Sequence, residues 1–546
     1  MFAPRRAGSV FTSLQRTLST FQRSTRLPNR AYHGHFSSTD GRLWKRKLEG
    51  LEDFMAAICN AAAGFGHGAL QFDVKPTKQL DDSAVLESVR KAWIRLRFSA
   101  PMIALRTNSE PGSHGDAFFS SYECPKSNAT VVSKWVDETL KWHPEKKTLV
   151  ERDLDLKDVW WNPGDNHWNM VMHVGRLNGN IQLMLTTTHW AIDGPIGLQL
   201  SEKFFEYLAA ELEGKAGNIE ELPWGEEIVQ LPPSMAAVIA PPYRGEVAPP
   251  PLQMDGIPNF FHRPVYSEGL NHSTCHSTLG HSVKLTAVQT QAFRDNCKAR
   301  GFTATPVFNA ILVLADVETA LKNGIRKGPD AFREVHKSFL SADGFFIPVN
   351  GVNRRSAFLP EHASLASPLG TPTCAAEAFP TVHDMNAIRK CIRVDGNMEI
   401  ERVMSQDAFW DGAVTNAHEV LASGIPIPPY LLGNQKALNG ALASRTLEVI
   451  KSGILSTSLG DFDKANILER WKPSKRDSAE VPAFTIENII LSARMTQPTV
   501  MCSSWQYDGQ ITLHLHGARE FHDEHAWRDF VDAVESRLRY VAEGRL

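Results

Sequence analysis

His189 and Asp193 stand four residues apart in Thr188-His189-Trp190-Ala191-Ile192-Asp193-Gly194, where an alternating strand gives out. An imidazole at the mouth of a strand-to-helix loop is placed for general-base work, because histidine ordinarily titrates near neutrality and can take a proton from a hydroxyl. A buried histidine that merely closes a hairpin is the structural alternative.

The elements around the pair fix where it must sit. Ile181 to Thr188 is apolar and then β-branched, and it follows His173-Val174-Gly175-Arg176 across Asn178-Gly179. That dipeptide supplies the positive φ angles of a tight hairpin. Gly194 and Pro195 stop the strand and open a helix with an apolar stripe of Ile196, Leu200, Phe204, Leu208 and Leu212, which Gly214 can end. Further helices are expected at 48–63 and 83–96.

Past the midpoint, Ser282 to Leu285 reads as a strand and Thr286-Ala287-Val288-Gln289 as a capping box for a helix to Ala299. Gly301 can cap it. Thr305 as N-cap and Pro306 at the first helical position begin another through Phe308, Ile311, Leu312 and Ala315. Phe345 to Asn350 is a strand running into Gly351-Val352-Asn353-Arg354-Arg355. Near the end, 500–506 and 510–516 flank Tyr507-Asp508-Gly509, a second hairpin signal, and an amphipathic helix closes the chain over 523–542.

Composition narrows the function classes. A chain of 546 residues with 42% hydrophobic residues can bury a large core and suggests two or more domains. A net charge of -3 offers no field for nucleic acid, and neither a P-loop nor a dinucleotide glycine motif is present. Seven cysteines without a C-x-x-C favour free thiols in a reducing compartment. No apolar run reads as a transmembrane segment. Residues 1–41 hold Arg5, Arg6, Arg16, Arg23, Arg26 and Arg30 and no acid before Asp40, as a mitochondrial transit peptide or a disordered basic extension would. The chain is therefore expected to be intracellular, cytoplasmic or mitochondrial. The fold is expected from about Arg42, in two halves, 42–230 and 272–546. Between them, the prolines from Pro232 to Pro251 mark 231–271 as an extended crossover.

The H-x-x-x-D-G spacing resembles the signature of the coenzyme-A-dependent acyltransferase superfamily. That superfamily comprises chloramphenicol acetyltransferase, plant BAHD enzymes, peptide-synthetase condensation domains, and fungal alcohol and trichothecene O-acetyltransferases. The order strand, capped helix, Gly301-Phe302-Thr303-x-Thr305, apolar helix resembles the opening of the second half in condensation-type members. Ser456-Thr457-Ser458-Leu459-Gly460 and the closing hairpin and helix resemble the family's end, so the likeness spans roughly residues 42 to 546. The BAHD pentapeptide Asp-Phe-Gly-Trp-Gly is absent, and Thr188 stands where condensation domains carry a first histidine. Both departures point to the fungal trichothecene 15-O-acetyltransferase type.

The resemblance implies an α/β chain of mixed sheets, two chloramphenicol-acetyltransferase-like halves around a central tunnel, and a monomer. It implies an acyl-CoA, in particular acetyl-CoA, as co-substrate with no bound cofactor, and a hydroxylated small molecule as acceptor. His189 would be the base and return its proton to the departing thiolate with no acyl-enzyme. Asp193 would orient the loop by pairing with an arginine, Arg354 or Arg355, of which Arg355 is taken as the structural partner; a solvated basic pair is the alternative, since adjacent strand residues cannot both face a core. For the oxyanion, a hydroxyl on the 500–506 strand is suitable. Ser504 is favoured over Ser503 because Cys502 shares its face and Trp505 takes the other. A condensation-type enzyme using a carrier-bound thioester, and a non-catalytic ligand-binding member of the fold, are the alternatives.

Other constellations are weaker. His514 and His516 share a strand face and His522 and His525 follow, but no carboxylate completes metal-ligand spacing, so no metal is expected. Cys502 reads as a buried small hydrophobe, and Trp160-Trp161 and His167-Trp168 as wall or core.

Overall fold

The computed structural model describes residues 34–112, 115–127, 130–240, 259–260, 278–364, 372–424, 453–476 and 481–544. Its strands run β1 (Leu43–Lys47), β2 (Gly68–Pro76), β3 (Leu105–Gly112), β4 (Gly115–Glu123), β5 (Leu140–His143), β6 (Asp165–Trp168), β7 (Met170–Leu177), β8 (Asn180–Thr187), β9 (Asn259–Phe260), β10 (Thr278–Lys284), β11 (Gly344–Asn353), β12 (Ala376–Asp384), β13 (Ile392–Val394), β14 (Ile400–Arg402), β15 (Ile454–Asp461), β16 (Phe484–Ala493), β17 (Val500–Tyr507) and β18 (Gln510–Ala518). The helices that matter for the site are α1 (Leu51–Ala61), α2 (Asp82–Ser99), α3 (Leu149–Lys157), α4 (Gly194–Leu212), α5 (Ala287–Ala299), α6 (Ala304–Lys327) and α7 (Glu524–Glu543).

These strands form mixed sheets. A five-stranded sheet has the order β16-β2-β8-β7-β5, and a seven-stranded one runs β10-β18-β17-β15-β11-β12 with β9 beside β11. A four-stranded sheet, β1-β4-β3-β6, flanks the first, and β13 pairs with β14. Asn178 and Gly179 adopt φ of 51° and 86° to join β7 to β8, and Asp508 and Gly509 adopt 48° and 71° to join β17 to β18. Right-handed strand twist selects such positive-φ turns, which glycine and short polar residues tolerate.

Two apolar cores follow. One gathers Leu70, Phe72, Trp93, Leu183, Phe204 and Phe205 between the five-stranded sheet, α2 and α4. The other gathers Phe293, Ile311, Leu314, Leu513 and Val534 among α5, α6, α7 and the seven-stranded sheet. The partition is not sequential: β16, from the second half of the chain, pairs with β2 over Phe484–Ala493 and completes the first sheet. Trp505 and Tyr507 of β17 likewise pack into the first core.

Some expectations shift. Residues 34–41 already belong to the structure: Ser37 pairs with Lys45, and Gly34 O accepts the Ser234 amide at 2.7 Å. Most of the basic extension and of the proline-rich crossover lies outside the described residues. At the crossover's start, Met235 and Val238 are buried with Leu51, Phe358, Cys374 and Ala375, so that end is packed. Thr303, not Thr305, precedes the helix at Ala304, which puts Pro306 third in the first turn, where an amide has no helical partner to lose. That helix, α6, is also the one described helix long and apolar enough to cross a membrane, with 89% of its apolar window buried. It is packed against α7 and buried through most of its length, with polar residues such as Asn309 and Glu318 hydrogen-bonded inside the protein, as a core helix surrounded by protein can be.

Burial has a consequence for acid stability. Desolvation above all holds His67 and His173 down to about 3 and His383 and His514 down to about 4. The unfolded chain takes up those protons near pH 6.5, so between about 6.5 and 3 it binds more protons than the folded one. Stability is fully present above that window and falls as pH drops through it. Urea midpoints at pH 7.5, 5.5 and 4.5 should decline with the steepest loss below 6; a flat series would contradict the neutral state of these rings.

Candidate active site

The strand β8 delivers the motif loop to one end of the first sheet, and α4 begins on the motif itself. Asp193 is the N-cap of α4, its Oδ1 accepting the Ile196 amide at 3.1 Å. Its remaining lone pairs are also committed. Arg355 Nη2 lies 2.9 Å from both carboxylate oxygens, and the Ala375 amide donates to Oδ2 at 2.8 Å. With 3% exposure and three donors, this carboxylate is a structural anchor, as a buried charge must be paired and hydrogen-bonded to persist.

Arg354 and Arg355 are both buried, which period-two alternation in a strand does not allow. The chain has left the strand by then. β11 ends at Asn353, Arg354 has φ of -103° and ψ of 13°, and Arg355 opens a 3₁₀ turn in which neighbouring side chains can share a side. Asn353 Oδ1 accepts the Arg355 amide at 3.0 Å, which fixes the turn.

His189 is half-buried, with Nδ1 3.1 Å from the carbonyl oxygen of Ile192. A carbonyl only accepts, so Nδ1 carries the hydrogen and the neutral ring keeps its lone pair on Nε2. Nε2 has no partner among the described residues, nor is it among the sealed polar atoms. Gly66, at φ +79°, sits opposite: a Cβ there would lie 3.8 Å from that of His189. The loop is tied down beside it by Trp190, whose indole donates to Thr107 Oγ1 at 2.9 Å. Thr188 is fully buried, its hydroxyl without a partner among the described residues.

The seven-stranded sheet turns one face towards this loop, and the register decides which residues lie on it. Ser504 is opposite Leu513 and Cys502 opposite Leu515, and Cys502 and both leucines belong to the second core. Ser456 of β15, on that same side, donates to Asn309 on α6. Met501 packs instead with Ile58, Ala62 and Phe65 of the first lobe, and Trp505 lies in the first core. Ser503 is thus on the inter-lobe face with Thr457 as its cross-strand neighbour, and Ser504 points away from it. Cys502 and Ser504 share a face, as expected, and it is the helix-covered one. The hydroxyls of Ser503 and Thr457 and the indole nitrogen of Trp505 form no hydrogen bond with a described residue and are not sealed. Leu459, further along β15, reaches the motif at Gly194, where a Cβ would collide with its Cδ2.

The remaining sequence candidates take other places. Burial pushes the Cys502 thiol up to about 12, which leaves it without nucleophilic thiolate at neutral pH. His514 Nδ1 lies 2.6 Å from Ser282 Oγ, and no three His, Cys, Asp or Glu among the described residues are arranged to hold a metal. Trp161 stands edge-on to His67, ring centres 4.3 Å apart. Thr373 and Ala375, which clamp Asp193, carry no motif, so only the folded chain reveals them.

No family model matches the chain. It is similar to acetyltransferase pigO of Monascus ruber, 26% identical over 212 residues. That stretch spans 38% of this chain and 39% of the relative. The TRI3 trichothecene 15-O-acetyltransferase of Fusarium sporotrichioides superposes with a TM-score of 0.69 at 13% identity, over 96% of this chain and 100% of that one. The condensation domain of the monacolin K polyketide synthase MokA does so with a TM-score of 0.50 at 8% identity, over 94% and 99%. The chain therefore has the mixed-sheet α/β fold of that trichothecene 15-O-acetyltransferase and of that condensation domain.

Proposed function

We propose that this protein is an O-acyltransferase that moves an acyl group, in the first instance acetyl, from acyl-CoA to a hydroxyl of a small molecule of the fungal secondary-metabolite kind, such as a terpenoid or polyketide. The single observation that carries the reading is the state of His189: Nδ1–H is committed to the Ile192 carbonyl, and Nε2 has no partner among the described residues and is not sealed. The likeness to an acetyltransferase in sequence, and to a trichothecene acetyltransferase in fold, supports it.

In this mechanism Nε2 takes the proton of the acceptor hydroxyl as its oxygen attacks the thioester carbonyl. The tetrahedral adduct then expels the thiolate, which receives the same proton. Ser503, with Thr457 beside it and Trp505 on the same face, supplies donors for the oxyanion; a well-placed donor is worth roughly 3–4 kcal/mol of barrier. Asp193 and Arg355 take no part in proton transfer and hold the loop.

Purified protein mixed with acetyl-CoA and a panel of hydroxylated terpenoids and polyketides should release free thiol in step with ester, with no carrier protein present. Ester formed only from a carrier-bound thioester would favour the condensation reading, and acceptor binding without thiol release the non-catalytic one. Ser503→Ala should lower kcat by about 10²-fold or more, whereas Ser504→Ala should stay near the parent. The reverse order would return the oxyanion role to Ser504.

A further inference from the structure

Asp193 has a second set of ties, and they lead to the beginning of the chain. Its backbone amide donates to the carbonyl of Thr373 at 3.0 Å, two residues before the Ala375 amide that holds its carboxylate. Thr373 is itself 2% exposed, and its hydroxyl lies 2.9 Å from Glu52 Oε1 and 3.4 Å from the carbonyl of Trp190. One hydrogen can serve one short bond, and the nearer, charged acceptor takes it. Glu52, in the first turn of α1, is fully buried and receives both terminal nitrogens of Arg46 on β1, at 2.6 and 2.9 Å.

We propose that Glu52 is a positioning residue for the motif loop, acting through Thr373. The Arg46–Glu52 fork is a rigid, doubly bonded acceptor, and it fixes the rotamer and backbone of Thr373. Thr373 and Ala375 then fix Asp193 by its amide and its carboxylate. The loop between β8 and α4 is so held at the bend where the Ile192 carbonyl meets His189 Nδ1, the contact that keeps the lone pair on Nε2. The loop's rigidity follows from these contacts alone; the catalytic consequence rests on the acyltransferase reading.

Glu52→Gln would strand the buried Arg46 charge and could unfold the chain. Thr373→Val leaves the ion pair and the Thr373 carbonyl in place and removes only the linking hydroxyl. In full-length Thr373→Val we expect amide exchange in peptides covering 188–194 and 373–376 to speed up about tenfold or more, while the rest of the first sheet exchanges as in the parent. Turnover, where measured, should show kcat down 5- to 20-fold with KM for acetyl-CoA within twofold, and Thr373→Ser should restore both readouts. Unchanged exchange at those peptides, or failure of serine to restore it, overturns the proposal. Faster exchange in a protein that never releases thiol would retain the loop brace and reject the acyltransferase reading instead.

Discussion

His189→Ala should reduce acyl transfer by 10²–10⁴-fold, the range that a positioned general base contributes, while the protein stays folded. The ring is only half-buried, and its one hydrogen bond among the described residues lies within the loop itself, from Nδ1 to Ile192. Removing it strands one carbonyl oxygen and leaves the Asp193 anchorage intact. KM for the acyl donor should change little, because the imidazole acts on the hydroxyl of the acceptor. Steady-state thiol release and a thermal scan on the same preparation check both halves of the expectation. A drop of less than tenfold with stability unchanged would remove His189 from the chemistry.

The Asp193–Arg355 pair should show the opposite pattern, with loss of stability first and of activity as a result. Each member is almost wholly buried, and Asp193 also caps α4 and receives the Ala375 amide. Breaking a buried pair from one side leaves an uncompensated charge, at a cost of about 3–5 kcal/mol. Arg355→Ala and Asp193→Asn should each lower the urea midpoint by that equivalent. The double variant should lose clearly less than the sum, because the second change removes the charge that the first left stranded. Full additivity in the double-mutant cycle would mean that the two residues do not act as a unit.

Much of this arrangement was legible in the residues, for local reasons. Positive-φ dipeptides announce hairpins wherever they lie between alternating runs, so β7–β8 and β17–β18 could be placed from Asn178-Gly179 and Asp508-Gly509. The capping box at Thr286 and Gln289 announces α5, and Pro195 announces the start of α4. Long-range choices were not legible. Nothing in 484–493 says that it joins a sheet whose other strands end at residue 187, since pairing partners are chosen by the whole fold. Strand alternation showed that Ser503 and Ser504 oppose each other, but which face meets the motif depends on α6 and α7 covering the other. Alternation forbids burying Arg354 and Arg355 together only on a strand that continues through them, and nothing in the residues announces that β11 ends at Asn353. Asp193 as a helix cap could have been found, since an aspartate two residues before a proline and three before the first apolar stripe residue has the N-cap pattern.

The most direct test of the account uses the unaltered protein and a rapid mix with acetyl-CoA. If the acyl group passes directly to the acceptor without an acyl-enzyme, with the His189 imidazole deprotonating the hydroxyl, thiol should appear only once a hydroxylated acceptor is present, in proportion to ester, and intact mass should show the protein unmodified at every time point. A burst of thiol equal to the protein concentration without acceptor, together with an acyl group covalently on the chain, would contradict it.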